Sequence, residues 1–359
     1  MKSDINSLTG VRTVAALWVL MAHYRDILFM LFPGTRLADP FLRTGHLGVD
    51  LFFLLSGFII SYNYLDGFRS FRVSRAVHFL KLRFARIWPV HFLTLNLAVV
   101  YWVFVPMSSA VNDLYVPEAW FRNFFMVQAW FGLPNTFNGV SWSISAEWLA
   151  YLCFPFLGLA MAWIKPATRR SQVMLALAAL LLAPGYYLLR LAGYGITSPL
   201  LRILFEFTAG CLLFRVYSGL RRWNWWGLVA VVAGVGIVSI ACLVPGPDIY
   251  GALIVPLLGL SVLSLAFGVG LFAKILSTSA MLFWGRASYS LYMMHGLVYQ
   301  VLVRFVPGER FMGSELGTRA LVLCIYAATL PLVSAATYVY FEKPFRDWLR
   351  GARIPGETG

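Results

Sequence analysis

The sequence predicts an all-α integral membrane protein of about ten transmembrane helices, with both termini in the cytoplasm. Composition is the first observation: of 359 residues, 60% are hydrophobic and 12% charged, with a mean hydropathy of +0.74. A soluble domain carries about 25% charged residues. The second is that apolar runs of spanning length recur along the whole chain. The third is charge placement. Lys and Arg number 29 against 15 Asp and Glu, a net charge of +14. These cations gather in alternate connections, as in cytoplasmic loops that meet anionic lipid head groups. Membrane lipids are therefore the expected partner of the basic residues, and nucleic acid is not.

The expected spans are 8–31, 47–65, 79–105, 140–164, 173–191, 200–216, 225–244, 250–272, 280–303 and 318–341. The first runs too long for a signal-peptide apolar region and has no small-residue cleavage site after it, so it is expected to remain as a span. The second connection carries Arg69, Arg72, Arg75, Lys81, Arg83 and Arg86, the fourth Lys165, Arg169 and Arg170, and the sixth Arg215, Arg221 and Arg222. Lys274 and Arg286 mark the eighth, and Lys343, Arg346, Arg350 and Arg353 the C-terminus. The intervening connections mix signs, as with Asp113, Glu118 and Arg122 in the third. An odd number of spans would break that alternation.

The long third connection, 106–139, holds an aromatic stretch at 119–131 followed by Pro134, expected as an interfacial or re-entrant amphipathic segment. One membrane domain fills 1–346, and 347–359 forms a short cytoplasmic tail, expected to be disordered beyond Gly351. Cys153, Cys211, Cys242 and Cys324 all lie in apolar runs without metal-ligand spacing, which argues against zinc and structural disulfides.

Two ionisable residues stand inside the first span, Arg12 and His23. Eleven steps of ~100° leave ~20° of rotation between them, and the rise separates them by ~16 Å along one helix face. Such residues are costly in hydrocarbon and face an internal cavity. The topology sets Arg12 near the cytoplasm and His23 in the outer half. Asp50 and His46 then begin the second span from outside, and Ser141, Ser143, Ser145 and Glu147 lie at the outer end of the fourth. His295 sits deep in the ninth, beyond Tyr289 and Tyr292. An imidazole with a carboxylate partner is the minimal equipment for deprotonating a hydroxyl, and either Asp50 or Glu147 can supply the carboxylate. At the cytoplasmic side, Arg83 and Arg86 share a helical face near Arg12. Guanidinium groups there suit phosphate oxygens.

The Arg12-x10-His23 spacing resembles the membrane-bound acyltransferase family 3, as do five further runs. These are Gly48-Val49-Asp50 through Ser56-Gly57-Phe58, Arg83-x-x-Arg86-Ile87-Trp88-Pro89, Ser141-Trp142-Ser143-Ile144-Ser145-Ala146-Glu147, Ser288-Tyr289-Ser290-Leu291-Tyr292-Met293-Met294-His295, and Glu342-Lys343-Pro344-Phe345-Arg346. Each motif is weak alone; six in order across nearly the whole chain are specific. The resemblance implies about ten helices and transfer of an acyl group, acetyl being the expected one, from cytosolic acyl-coenzyme A. No cofactor is held permanently. The acceptor is expected to be a hydroxyl of a sugar, polysaccharide or lipid-linked glycan, and the location the cytoplasmic (inner) membrane. His23 matches the family's essential histidine, Arg12 its basic partner, Arg83 and Arg86 the donor-binding pair, and Glu147 the acidic position of the Ser-Trp-Ser element. Asp50 stands beside Glu147 as candidate support for the base. His295, Trp142 and Ser145 are the candidate substrate contacts.

Other polar residues read as structural. Arg202 and Glu206 are four apart and expected to pair within their helix. His46, His78, His91, Trp88 and Trp148 read as interface or packing residues, and Glu342-Lys343-Pro344 as the end of the last span. The alternative function is a multi-span carrier of an acyl or glycan intermediate, using the same charges as a relay. Carriers often show internal repeats, and none is evident in this chain.

Overall fold

The computed structural model describes residues 4–105, 115–131, 136–164, 168–195 and 198–351. Asp113, Pro134, Lys165, Arg353 and the expected disorder of 352–359 lie outside the described residues. Every regular element among them is helical. In chain order these are α1 (Asn6–Leu31), α2 (Gly48–Tyr64), α3 (Val73–Phe104), α4 (Pro117–Phe124), α5 (Trp142–Ala162), α6 (Arg169–Leu182), α7 (Gly185–Leu191), α8 (Pro199–Gly219), α9 (Trp226–Leu243), α10 (Pro247–Ala266), α11 (Gly270–Leu276), α12 (Ser279–Phe305), α13 (Leu316–Thr337) and α14 (Lys343–Gly351).

Seven stretches are long and apolar enough to cross a membrane: Asn6–Leu31, Pro33–Phe68, Val73–Phe104, Gly139–Ala162, Trp226–Leu243, Pro247–Ala266 and Leu316–Gly351. An eighth is the pair α6–α7, bent by 52° at Pro184, whose missing N–H and bulky ring interrupt the helical ladder. The remaining two expected spans are present as helices of 21 and 27 residues, α8 and α12. At ~1.5 Å per residue both are long enough to cross, but both fall short in apolarity. They carry Arg202, Glu206 and Arg215, and Arg286, His295 and Arg304 respectively. The seven or eight stretches apolar enough to cross thus stop short of ten at two helices that each carry two arginines.

The chain divides into two compact bodies. The first comprises the described residues of Met1–Arg25, Gly34–Arg72 and Cys153–Ser288. Its centre is the crossing of α2 with α8, where two glycines let the backbones touch. A Cβ at Gly57 would lie 2.0 Å from the Phe207 carbonyl oxygen, and one at Gly210 only 2.2 Å from that of Leu54. Small residues at such crossings supply the close packing that holds helices together in lipid. Gly210→Ala is expected to lower stability by about 1–3 kcal/mol, since the helices must separate to admit the methyl group. Gly234→Ala, whose Cβ would meet only the Phe272 ring at 3.7 Å, should leave the thermal midpoint in detergent almost unmoved.

Helix α1 is seated in this body by its hydroxyls. Ser7 Oγ donates to the Leu265 carbonyl (2.6 Å) and Thr13 Oγ1 to that of Met281 (2.8 Å). Further along α1, the 3₁₀ turn Arg43–Leu47 presses Gly45 against Trp18, with room for no Cβ.

The second body comprises the described residues of Asp26–Pro33, Val73–Leu152 and Tyr289–Gly359. The aromatic stretch at 119–131 forms α4 and then folds back through Met126, a buried residue with φ of 57°. It docks on α3, where His91 Nε2 meets the Asn123 carbonyl at 2.6 Å and Trp88 Nε1 donates to that of Phe124. A five-residue π-turn, Tyr338–Glu342, joins α13 to α14. Pro344 follows directly, without an N–H to continue an α-helical ladder.

Candidate active site

The periodicity of α1 separates two faces. Val14, Leu17 and Met21, 40–42% exposed, form an apolar stripe roughly opposite Arg12 and His23 at ~100° per residue. That stripe is the lipid-facing one. On the other face Ala16 and Val19 are buried, yet His23 is exposed and Arg12 half-buried. The imidazole is thus the exposed polar group on a helix face whose neighbouring positions are packed against protein. His23 Nδ1 lies 2.8 Å from the Val19 carbonyl oxygen, one turn back. A carbonyl only accepts, so Nδ1 carries the proton and Nε2 keeps the lone pair a general base uses.

A backbone carbonyl thus holds one ring nitrogen; Asp50 and Glu147 are the carboxylates the sequence offers beside it. Asp50 is fully buried, and its carboxylate is taken by other groups. Arg202 Nε donates to Oδ1 (3.0 Å), Arg202 Nη2 to Oδ2, and the Tyr187 hydroxyl to Oδ1 (2.9 Å). Arg202 Nη2 also reaches the His46 carbonyl at 3.3 Å. The expected intrahelical pair is therefore secondary: Glu206 lies 3.7 Å from Arg202 Nε, while the closest bonds of that guanidinium go to Asp50 on α2. The physical reason is burial. A carboxylate at that depth requires a cation, and α8 supplies it at the tight α2–α8 crossing.

The second body holds the other charged candidates. Helix α3 begins at Val73, six residues before the expected start of the span, so Arg83 and Arg86 lie ~15 and ~20 Å along it rather than at its mouth. Arg86 Nη1 donates to Glu342 Oε1 at 3.2 Å, and Ser290 Oγ to Glu342 Oε2 at 2.6 Å. Glu342 is fully buried in the π-turn, so it is a structural acid as well as a helix end. Arg83 sits over the Phe79 ring at 5.9 Å.

The depth reading put Glu147 at the outer end and Arg86 at the inner one; the structure sets them in one layer. Phe84 packs on Trp148 and Phe79 on Tyr151, at ring separations of 6.1 and 6.4 Å. The buried Tyr289 hydroxyl feels Glu342, Glu147 and Arg86 together. Glu147 itself is half-buried and accepts a hydrogen bond from Tyr151, one turn on.

The serines of the Ser-Trp-Ser element brace the fold. Gln128 Nε2 donates to the Ser141 hydroxyl at 3.1 Å, and the Ser143 hydroxyl donates to that of Tyr292 at 2.8 Å. Ser145 is fully buried, accepts the Ala129 N–H at 3.1 Å, and its carbonyl accepts from Trp130 Nε1. Trp142, at the start of α5, is half-buried. His295 is buried, with Nδ1 on the Tyr292 carbonyl. Sequence reasoning passed over Arg202, Tyr187, Ser290 and Glu342 as site-forming residues. The available signal was the count of acids inside apolar segments, each of which needs a partner.

The described residues thus make an all-helical, multi-pass membrane protein with an exposed imidazole whose Nδ1 is held by a backbone carbonyl. Residues 5–338 match the model described as an acyltransferase domain, and the chain belongs to the membrane-bound acyltransferase family 3. It is 28% identical over 347 residues to acyltransferase MdmB of Streptomyces mycarofaciens, covering 87% of this chain and 81% of that protein. It is 24% identical over 376 residues to peptidoglycan O-acetyltransferase OatA of Listeria monocytogenes, covering 95% of this chain and 56% of that one. Protein 2 in picA locus of Rhizobium radiobacter is 29% identical over 184 residues, 49% of this chain and 91% of its own. No solved structure matches the chain.

Proposed function

We propose that this acyltransferase moves an acyl group, acetyl by expectation, from cytosolic acyl-CoA to a hydroxyl of a sugar, polysaccharide or lipid-linked glycan. The exposed His23 imidazole on the otherwise buried face of α1 carries this reading. Its Nε2 takes the hydroxyl proton as the acceptor oxygen attacks the thioester carbonyl. The tetrahedral intermediate collapses, the C–S bond breaks, and the imidazolium returns the proton to the departing CoA thiolate. Arg12, Arg83 and Arg86 bind the donor phosphates. Glu147, half-buried among polar groups, is the carboxylate assigned to the site, with Trp142 and His295 as candidate acceptor contacts. Asp50 and Ser145, whose polar atoms are engaged by protein, act by holding their neighbours in place. Helices α8 and α12 complete a set of about ten crossings of the cytoplasmic membrane, with both termini inside. The relative named as a peptidoglycan O-acetyltransferase supports both the O-linkage and the acetyl group.

The test uses the purified protein in lipid vesicles, with acetyl-labelled CoA outside and a sugar acceptor within. Labelled ester on the acceptor is the expected result. Label that accumulates without a covalent product would instead make the protein a carrier.

A further inference from the structure

We infer that α14 forms a second wall of the donor site, its arginines gripping the polyphosphate of acyl-CoA together with Arg83 and Arg86. The inference rests on the acyl-CoA reading and extends it past residue 338, where the family match ends.

Helix α14 packs along α3. At ~100° per residue Lys343, Arg346, Asp347 and Arg350 share one stripe of it, with Phe345, Trp348 and Leu349 on the other side. A soluble helix would turn the charged stripe to water and the aromatic side to protein. A membrane-surface helix would raise its arginines to the head groups. Here Arg346 and Arg350 turn inward, the Arg346 side chain only 13% exposed, while Trp348 opposite them is 65% exposed; Phe345 and Leu349 are half-buried, and Lys343 and Asp347 are exposed.

Glu342 fixes this inward turn. Its Oε1 lies 3.2 Å from Arg86 Nη1 and 3.6 Å from Arg346 Nη1, so one buried oxygen joins a guanidinium of α3 to one of α14. Arg346 Nε is also 3.5 Å from Asp347. The π-turn supplies the geometry by putting Glu342 inside while the chain passes into α14.

Charge selects the ligand. Arg83, Arg86, Arg346 and Arg350 outnumber Glu342, Asp347 and the nearby Glu147 by one, and the first half of α3 contributes Arg75 and Lys81 with no acid. An excess of clustered guanidinium over carboxylate calls for a polyanion with planar-binding oxygens. The diphosphate of CoA fits. The same chemistry could come from anionic lipid, and the experiment separates the two.

The full-length protein is measured in detergent with acetyl-CoA, and separately with phosphatidylglycerol vesicles. For Arg346→Gln combined with Arg350→Gln, the KM and Kd for acetyl-CoA are expected to rise about tenfold, with kcat at saturating donor within about twofold of wild type. Inorganic pyrophosphate should compete with acetyl-CoA on the wild type and lose that effect on the variant. Arg350→Gln alone is expected to give about a threefold rise in KM, and carries the test if the double variant does not fold. An unchanged donor KM with weakened vesicle binding would make α14 a lipid-surface helix and overturn the inference. A wild type that takes no acyl group from acetyl-CoA would remove the donor reading itself; a wild type that does, with variants unaltered, removes only the role of α14.

Discussion

Replacing His23 with alanine is expected to lower kcat by about 10²–10⁴-fold, the range general-base catalysis contributes, while the protein stays folded. The side chain is exposed, so its loss leaves no packed void. Its Nδ1 meets a carbonyl of its own helix, the Val19 oxygen. Transition-state stabilisation should therefore be lost with little change in the donor KM, because the base acts on the acceptor hydroxyl. His23→Gln separates two roles. A glutamine amide can still contact the hydroxyl but takes up no proton. If His23→Gln stays inactive with donor and acceptor binding intact, proton transfer is the role. If it restores activity to near wild type, the imidazole only positions the acceptor, and the general-base assignment fails. The measurement is the rate of labelled ester formation at saturating acetyl-CoA, set beside the thermal midpoint of each variant.

The sequence made the helices legible because hydrocarbon demands long apolar runs, and such runs are local. Each expected span falls on described helix, the fifth broken at Pro184, as proline's missing donor requires, and the eighth broken between Ala266 and Gly270. The Arg12–His23 register was legible for the same reason, since it follows from the pitch of one helix. Pairings between helices far apart in sequence were not. Nothing local to Asp50 says that its cation is 152 residues away on α8. Nothing near Arg86 says that its carboxylate is 256 residues away in a π-turn. Depth from loop charge failed for Arg86 because α3 starts well before its apolar part. The basic turns Arg75 to Arg83 are helix rather than loop, and they carry Arg86 to the layer of Glu147. The partner of Ser145 was equally hidden: its hydroxyl accepts the backbone N–H of Ala129, sixteen residues away, in a buried turn.

Arg202→Gln is expected to destabilise the first body by about 3–5 kcal/mol, the cost of leaving a buried charge without its partner. Arg202 is the cation in contact with both Asp50 and Glu206, each fully buried. Its loss strands two acids, along with the Tyr187 hydroxyl that bonds one of them. Asp50→Asn should cost less, about 1–3 kcal/mol, because Glu206 remains 3.7 Å from the guanidinium and can take up its charge. An Asp50→Asn loss as large as that of Arg202→Gln would show instead that Glu206 does not take up the charge. Replacing all three polar side chains with Asp50→Leu, Arg202→Met and Glu206→Leu should recover most of the stability, since a buried polar cluster is replaceable by packed apolar groups of similar volume. Thermal unfolding in detergent reads these losses. The same variants decide what Asp50 does in catalysis. If the cluster only holds α2, α8 and the His46 turn together, the triple variant should retain kcat within about tenfold of wild type per folded molecule. A fall comparable to that of His23→Ala, in a protein whose midpoint has recovered, would return Asp50 to the reacting groups.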